Sequence, residues 1–234
     1  MKLAIMQPYI FPYIGYFQLM NAVDEFIIYD AIKYTKKGWI NRNRILVNNK
    51  DAFFTLPLKK DSDFLFVKDR VLADNWDSER IKIMNRIAQT YKKSPYFEMI
   101  FPLLEKCFLY AEKNLFSFIY HSILELNDFL DIKTKIIISS TILIDQELKS
   151  QDKVLAFCKE KKARTYINPI GGMNLYNKDQ FKQHGIELQF LKTNNFEYKQ
   201  FANEYIPFLS IIDVLMFNSK EEIKSLLNSQ FTII

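Results

Sequence analysis

The sequence predicts an α/β fold built around a parallel sheet. Three observations lead there. A strand, a short helix and a second strand follow one another at the start of the chain, and the same rhythm returns after residue 135. The stretch between reads as a hairpin followed by helices.

Leu3-Ala4-Ile5-Met6 is an apolar run too short for a helix, and it ends at Gln7-Pro8, as a strand buried on both faces would. From Pro12 the period changes. Tyr13, Tyr16, Phe17 and Met20 fall at i, i+3, i+4 and i+7, one face of a helix with proline near its start. Phe26-Ile27-Ile28-Tyr29 is a second strand closed by Asp30, and the three pieces make a βαβ unit. Residues 39–47 and 52–58 are β-like runs around Asn48-Asn49-Lys50-Asp51, a hairpin with a polar tip. Residues 78–130 read mainly as helices, with Pro95 and Pro102 as breaks. Ile81, Met84, Ile87 and Ala88 carry one apolar stripe; Phe116, Ile119, Tyr120, Ile123, Leu124 and Phe129 carry another.

The parallel rhythm resumes with Ile136-Ile137-Ile138, ending in Ser139-Ser140. A helix over 154–161, a strand over 165–167 ending in Asn168-Pro169, a helix over 177–183 and a strand over 186–191 follow. Helices over 211–217 and 221–227 close the chain. The expected architecture is a single α/β domain, 1–234, with a parallel Rossmann-like sheet, a β-hairpin and a helical insertion at about 76–131.

Composition narrows the function classes. With 49% apolar and 25% charged residues, intrinsic disorder is excluded. Glycine is scarce, 5 where a chain of 234 residues would ordinarily carry about 16, which leaves little room for a glycine-rich phosphate loop. Two cysteines, Cys107 and Cys158, are no disulfide framework and read as reduced, buried thiols. With only His121 and His184 beside them, no metal site is expected. The net charge of +5, spread through the chain, suits anionic small molecules and gives no reason to expect a stable nucleic-acid partner. No apolar run spans a membrane. Gln7, Pro8 and Pro12 interrupt the apolar start before it can serve as a signal peptide, so a cytoplasmic protein is expected.

In open α/β sheets, ligands bind beyond the carboxyl ends of the strands. Here those ends carry Gln7-Pro8, Asp30, Ser139-Ser140, and Asn168-Pro169 with Gly171-Gly172. Gly15 would let a ligand approach the first turn of the first helix, where free N–H groups favour an anion. This opening resembles the strand–turn–helix of nucleotidylyltransferases, which place two histidines around a glycine to grip a triphosphate. Tyr13 and Tyr16 stand at those places here, able to hydrogen-bond or stack but not to carry the charge.

In Lys36-Lys37-Gly38-Trp39-Ile40-Asn41-Arg42-Asn43-Arg44, strand alternation puts Arg42 and Arg44 on one face and Asn41 and Asn43 on the other. The two guanidiniums, with Lys37 nearby, would clamp a phosphate or carboxylate, and Trp39 would stack on a base or sugar. Ser210 is a helix cap. Asp213, in an otherwise apolar stretch, is expected either to pair with a cation such as Arg42 or Arg44 or to face a pocket, with its carboxyl kept low by the helix start.

These segments together resemble the WbqC-like family: residues 6–19, Gly38 to Arg44, Tyr166 to Tyr176, and Leu209-Ser210-Ile211-Ile212-Asp213. The resemblance covers essentially the whole chain. It implies a role in O-antigen or related surface-glycan biosynthesis, with transfer of glycine or another acyl group to an amino sugar. The substrates would be a nucleotide-linked amino sugar and ATP or another activated acyl donor. An amine nucleophile needs a base, for which Asp30 is preferred, with Asp213 in support. The alternative is a protein of the same fold that only holds a nucleotide-sugar or a partner enzyme.

Overall fold

The computed structural model describes residues 1–201 and 204–234. Strand β1 (Lys2–Met6) leads through a turn to helix α1 (Ile14–Asn21) and strand β2 (Glu25–Ile28). The hairpin is β3 (Arg42–Val47) and β4 (Lys50–Thr55). Its Asn48 and Asn49 both have positive φ, 49° and 63°, which matches the twist of a two-residue type I′ turn. Helices α2 (Trp76–Tyr91), α3 (Phe97–Phe108) and α4 (Leu115–Phe129) form the central helical segment. The chain then runs β5 (Lys135–Ile138), α5 (Ser150–Glu160), β6 (Thr165–Pro169), α6 (Lys178–Gln183) and β7 (Glu187–Thr193). It closes with α7 (Ile211–Phe217), α8 (Lys220–Ser229) and β8 (Phe231–Ile233).

The sheet order is β5-β2-β1-β6-β7-β8, parallel except for β8, which pairs antiparallel with β7. The chain thus starts in the middle, winds outward to β5, then crosses back to β6 and outward again. The reversal, the switch point of a doubly wound sheet, lies between β1 and β6. There the ladder is short. It pairs Lys2 with Thr165 and Leu3 with Tyr166 and then stops, while β1 continues to Met6 and β6 to Pro169.

Both faces of the sheet are covered, as apolar runs without alternation require. Ala4, Phe26, Ile28, Ile167 and Leu191 join a core shared with α1, the hairpin, the central helices, α7 and α8. Leu3, Ile5, Ile27, Leu188 and Phe190 face the other side, against α5 and α6. Cys107 and Cys158 are free and fully buried, and burial pushes both thiols up to about 12.

Two expectations need correcting. Pro102 does not break its helix; α3 runs through it. Proline there removes one backbone donor, and its exposed position keeps the ring out of packed neighbours. β8 was not expected, because three residues are too few to show a period.

The turn from β1 to α1 is pinned from outside. Phe11 is buried with φ 42°, a left-handed conformation that costs a non-glycine residue about 1–3 kcal/mol. Its carbonyl accepts from Asn43 Nδ2 at 2.7 Å and Ser210 Oγ at 2.7 Å, and Asn43 also donates to the Ile10 carbonyl at 3.0 Å. Ser210 in addition caps α7, bonding the Ile212 N–H. Ser210→Ala is expected to cost about 1–2 kcal/mol in urea unfolding. Asn43→Asp should cost more, because it turns a carboxylate towards two carbonyl oxygens. Equal stability of Asn43→Asp and wild type would show that the clamp carries no load.

Candidate functional site at the carboxyl edge of the sheet

The strand ends that carry Gln7, Asp30, Ser139, Asn168 and the Gly171-Gly172 pair lie along one edge, as parallel strands require. Asp30 and Ser139 come together across β2 and β5. Asp30 Oδ1 accepts from Ser139 Oγ at 2.6 Å and from the Ser140 N–H at 2.9 Å, and Asp30 is 2% exposed. Beside it Tyr29 lies under Lys153, whose Nζ is 5.7 Å from the ring centroid and donates to the Gln146 carbonyl. Lys153 is buried at this edge although nothing in its helical context singles it out.

The Asn168 amide accepts from Tyr166 Oη at 3.0 Å. It also lies over Gly172, where an added Cβ would overlap its nitrogen. Gly171 has open space around its Cα. The two glycines therefore do different things: Gly172 makes room for a protein side chain, and Gly171 leaves the edge bare. Gly171→Ala should change stability by no more than about 0.5 kcal/mol. Gly172→Ala should destabilise by about 1–3 kcal/mol as the Asn168 amide is displaced. Thermal melts of the pair read the contrast, and equal melting temperatures would contradict it.

Gly15 was expected to admit a ligand to the first turn of α1. The space is filled instead by the Tyr13 ring and the Thr193 hydroxyl, which a Cβ would overlap. Tyr16 is 1% exposed, bonds the Gln7 carbonyl at 3.2 Å and packs edge-on against Phe26. Tyr13 stays accessible. It borders a cavity of about 280 Å³ between the start of α1, the end of β7 and the irregular segment that precedes α7. Phe196, Tyr198, Tyr205 and Phe208 supply further rings, and Thr193, Asn194, Asn195 and Glu197 supply polar groups. Among the described residues no lysine or arginine lines it.

Behind that cavity stands Asp213, 0% exposed. Arg42 and Arg44 are not its partners. Oδ1 accepts from Tyr91 Oη at 2.8 Å; Oδ2 accepts from Tyr198 Oη at 2.6 Å and Gln200 Nε2 at 2.7 Å. Tyr91 Oη itself accepts the Leu46 N–H at 3.0 Å, so its proton points at the carboxylate. The Asp213 carboxyl is raised, not low: burial lifts it, and the bonds from Tyr198, Tyr91 and Gln200 only partly oppose this. Tyr205 is pushed up to about 12, by burial first and by the Asp213 charge second.

Arg42 and Arg44 share the outer face of β3, while Asn43 points inward. Asn41, just before the strand, is also buried; it accepts from Tyr34 Oη at 2.9 Å and donates to the Leu56 carbonyl at 2.8 Å. Arg42 lies over Phe53, 4.8 Å from the ring centroid, and donates to the Lys37 and Gly38 carbonyls. Arg44 lies over Trp39 at 5.5 Å, pairs with Asp51 at 3.0 Å and donates to the Phe208 carbonyl at 3.1 Å. Trp39 is 41% exposed and stacks on Phe53. Arg44 thereby ties the cationic, aromatic hairpin to Phe208 at the rim of the cavity.

Sequence reasoning missed Tyr91, Tyr198, Tyr205 and Gln200. They lie on α2 and in a segment with no period, so no sequence signal pointed to them. His184 is the C-terminal cap residue of α6, followed by Gly185 at φ 70°. His121 stacks on Tyr110 at 4.1 Å. No three His, Cys, Asp or Glu among the described residues are grouped to hold a metal ion. No helix among them is long and apolar enough to cross a membrane.

Fold and edge together define an α/β protein whose polar groups collect beyond the carboxyl ends of a mostly parallel, doubly wound sheet. The chain belongs to the WbqC-like protein family, whose model matches residues 7–225. It is similar to the uncharacterized protein Rv1507c of Mycobacterium tuberculosis (strain ATCC 25618 / H37Rv), at 27% identity over 218 residues, 92% of each chain. No solved structure matches it.

Asp213→Asn keeps the shape but offers donors to donors, and should lower stability by about 1–3 kcal/mol near neutral pH. A carboxyl raised on folding binds its proton more tightly in the folded than in the unfolded chain. Its contribution therefore falls as pH rises from the usual 3.8 to the raised value, and is level above it. The advantage of wild type over the variant should shrink across that window in urea titrations. An advantage that grows with pH would contradict the raised carboxyl.

Proposed function

We propose that the protein transfers an activated acyl group, glycyl or a related aminoacyl, to the amine of a nucleotide-linked amino sugar in surface-glycan assembly. One observation carries the reading: two chemically different halves share one sheet edge, divided by the switch point. On one side lies the cavity at the end of β7, whose Phe208 carbonyl is bonded by Arg44, the guanidinium that lies over Trp39. On the other, Asp30 sits at the end of β2. β2 and β7 are three strand spacings apart, about 14 Å at about 4.8 Å each. Two rings joined by a diphosphate can bridge that distance.

In this reading Arg42, Arg44 and Lys37 hold the phosphates, and Trp39 stacks beside them. Gln7, Asn168 and the Gly171 backbone border the path between the halves. The amine nitrogen attacks the acyl carbonyl and forms the amide C–N bond. The acyl–oxygen or acyl–sulfur bond of the donor breaks, its electron pair leaves with the donor, and the amine proton passes to Asp30. ATP, if it supplies the adenylate, is a substrate. Asp213 touches no ligand; it positions Tyr198.

The second reading is a holder of the nucleotide-sugar without chemistry, favoured by the near-complete burial of Asp30. Mass spectrometry of nucleotide-linked amino sugars incubated with protein and acyl donor tests the first. Asp30→Asn should lower turnover by about 10²-fold or more while binding persists. Arg42→Ala and Arg44→Ala should each weaken nucleotide-sugar binding about tenfold or more, by calorimetry, with the melting temperature unchanged. Full turnover in Asp30→Asn removes the base. Binding by wild type without turnover leaves the holder, and unchanged affinity in both arginine variants overturns the phosphate assignment.

A further inference from the structure

We propose that the cavity at the end of β7 is a nucleoside subsite. It takes the base and ribose of the nucleotide-linked ligand and leaves the diphosphate outside, at the hairpin. The inference rests on the nucleotide-sugar reading and adds where the nucleoside goes.

Size comes first. At about 280 Å³ the cavity lies just below the range of about 300–1,000 Å³ in which whole drug-sized ligands are held, so it admits one part of a nucleotide-sugar and not all of it.

Chemistry selects the part. No lysine or arginine among the described residues lines the cavity, while Glu197 does, and the Asp213 charge is felt at Tyr205 in its wall. A phosphate placed there would meet negative potential with no counter-charge. A planar base would meet the rings of Tyr13, Phe196, Tyr205 and Phe208, which present stacking and edge contacts. The Asn195 amide offers both donors and an acceptor for the polar edge of a base. Asn194, whose Oδ1 accepts from Thr232 Oγ1, adds donors, and the Glu197 carboxylate is an acceptor for the ribose hydroxyls.

Connectivity then fixes the direction. Phe208 lines the cavity and its carbonyl takes a bond from Arg44 Nη2. A phosphate leaving the cavity past Phe208 reaches the guanidinium without crossing the protein. Tyr198 is held in the wall by its bond to Asp213, and Gln200 holds the same segment by bonding Asp213 and both the N–H and the carbonyl of Ile206. These bonds are made by the protein's own groups, so the wall needs little ordering on binding.

The test uses uridine, adenosine and uridine diphosphate-linked glucosamine as probes, with calorimetry and competition against the full-length protein. At least one nucleoside should bind and compete with the nucleotide-sugar. Glu197→Gln, Asn195→Ala and Phe208→Ala should each weaken that nucleoside about tenfold, with unchanged melting temperatures. Among the described residues Arg42 hydrogen-bonds only the Gly38 and Lys37 carbonyls, so Arg42→Ala should weaken the nucleotide-sugar and leave the nucleoside untouched. If neither nucleoside binds, or if all three cavity variants bind it as wild type does, the subsite is wrong, even where the nucleotide-sugar binds and is turned over. If a nucleoside binds in the cavity and no nucleotide-sugar binds at all, the subsite stands and the transferase reading falls.

Discussion

The Phe11 carbonyl is the point on which the arrangement depends. The chain leaves β1 at Met6 and must turn within a few residues to start α1. It does so by holding a buried phenylalanine at φ 42°, a conformation that pays for itself only if something outside the turn holds it. Asn43 and Ser210 do this from opposite sides, one from the hairpin and one from the cap of α7. The Ile10 N–H bonds the Ile40 carbonyl, and the Ile211 N–H bonds the Pro12 carbonyl. Segments far apart in sequence therefore meet at one turn. The hairpin that carries the arginines and the helix that carries Asp213 are both fixed relative to the sheet edge by it.

Buried polar groups perform the same service elsewhere. Gln18 is 0% exposed on a largely apolar helix, and its amide bonds the Leu226 and Gln230 carbonyls while accepting from Thr193. It ties α1 to the end of α8 and to the end of β7, the floor of the cavity. Asp213 ties α7 to α2 through Tyr91 and to the irregular segment through Tyr198 and Gln200. A carboxylate so buried without a cation is costly, and the three donors together with its place in the first turn of α7 offset that cost. Tyr198 and Gln200, outside any helix or strand, are thereby tied to α7.

Much of the fold was legible because parallel strands buried on both faces are written as apolar runs. Leu3 to Met6 and Ile136 to Ile138 could hardly be anything else, and polar residues mark where each stops. The arginine face of β3 was legible from alternation. What alternation could not show is that Asn43 would turn inward to hold a neighbouring turn, because its partners are backbone carbonyls, which carry no sequence signal. Asp213 stood out as a charge among apolar neighbours, but its partners lie on α2 and in an aperiodic segment, so charge pairing suggested an arginine and geometry supplied tyrosines. The cavity was invisible for the same reason. Most of its lining comes from residues 194–208, where no period exists to be read.

The arginines show how far a satisfied group can still serve a ligand. A guanidinium has five N–H donors. Arg42 spends Nε and Nη2 on the Gly38 and Lys37 carbonyls, and among the described residues Nη1 has no partner. Arg44 spends Nη1 on Asp51 and Nη2 on the Phe208 carbonyl, while its Nε is buried without a partner among the described residues. A phosphate reaching Arg44 must share Nη1 with Asp51. That pair is partly exposed, 25% on the arginine and 45% on the aspartate, where such pairs are worth about 0–1 kcal/mol. An anion reaching Nη1 would therefore compete with a weakly held partner. The bonds to Phe208 and to the 37–38 backbone hold both guanidiniums in place meanwhile. Both guanidiniums are thus held by the protein's own carbonyls, and the ion pair that occupies Arg44 Nη1 is the weak contact of the set.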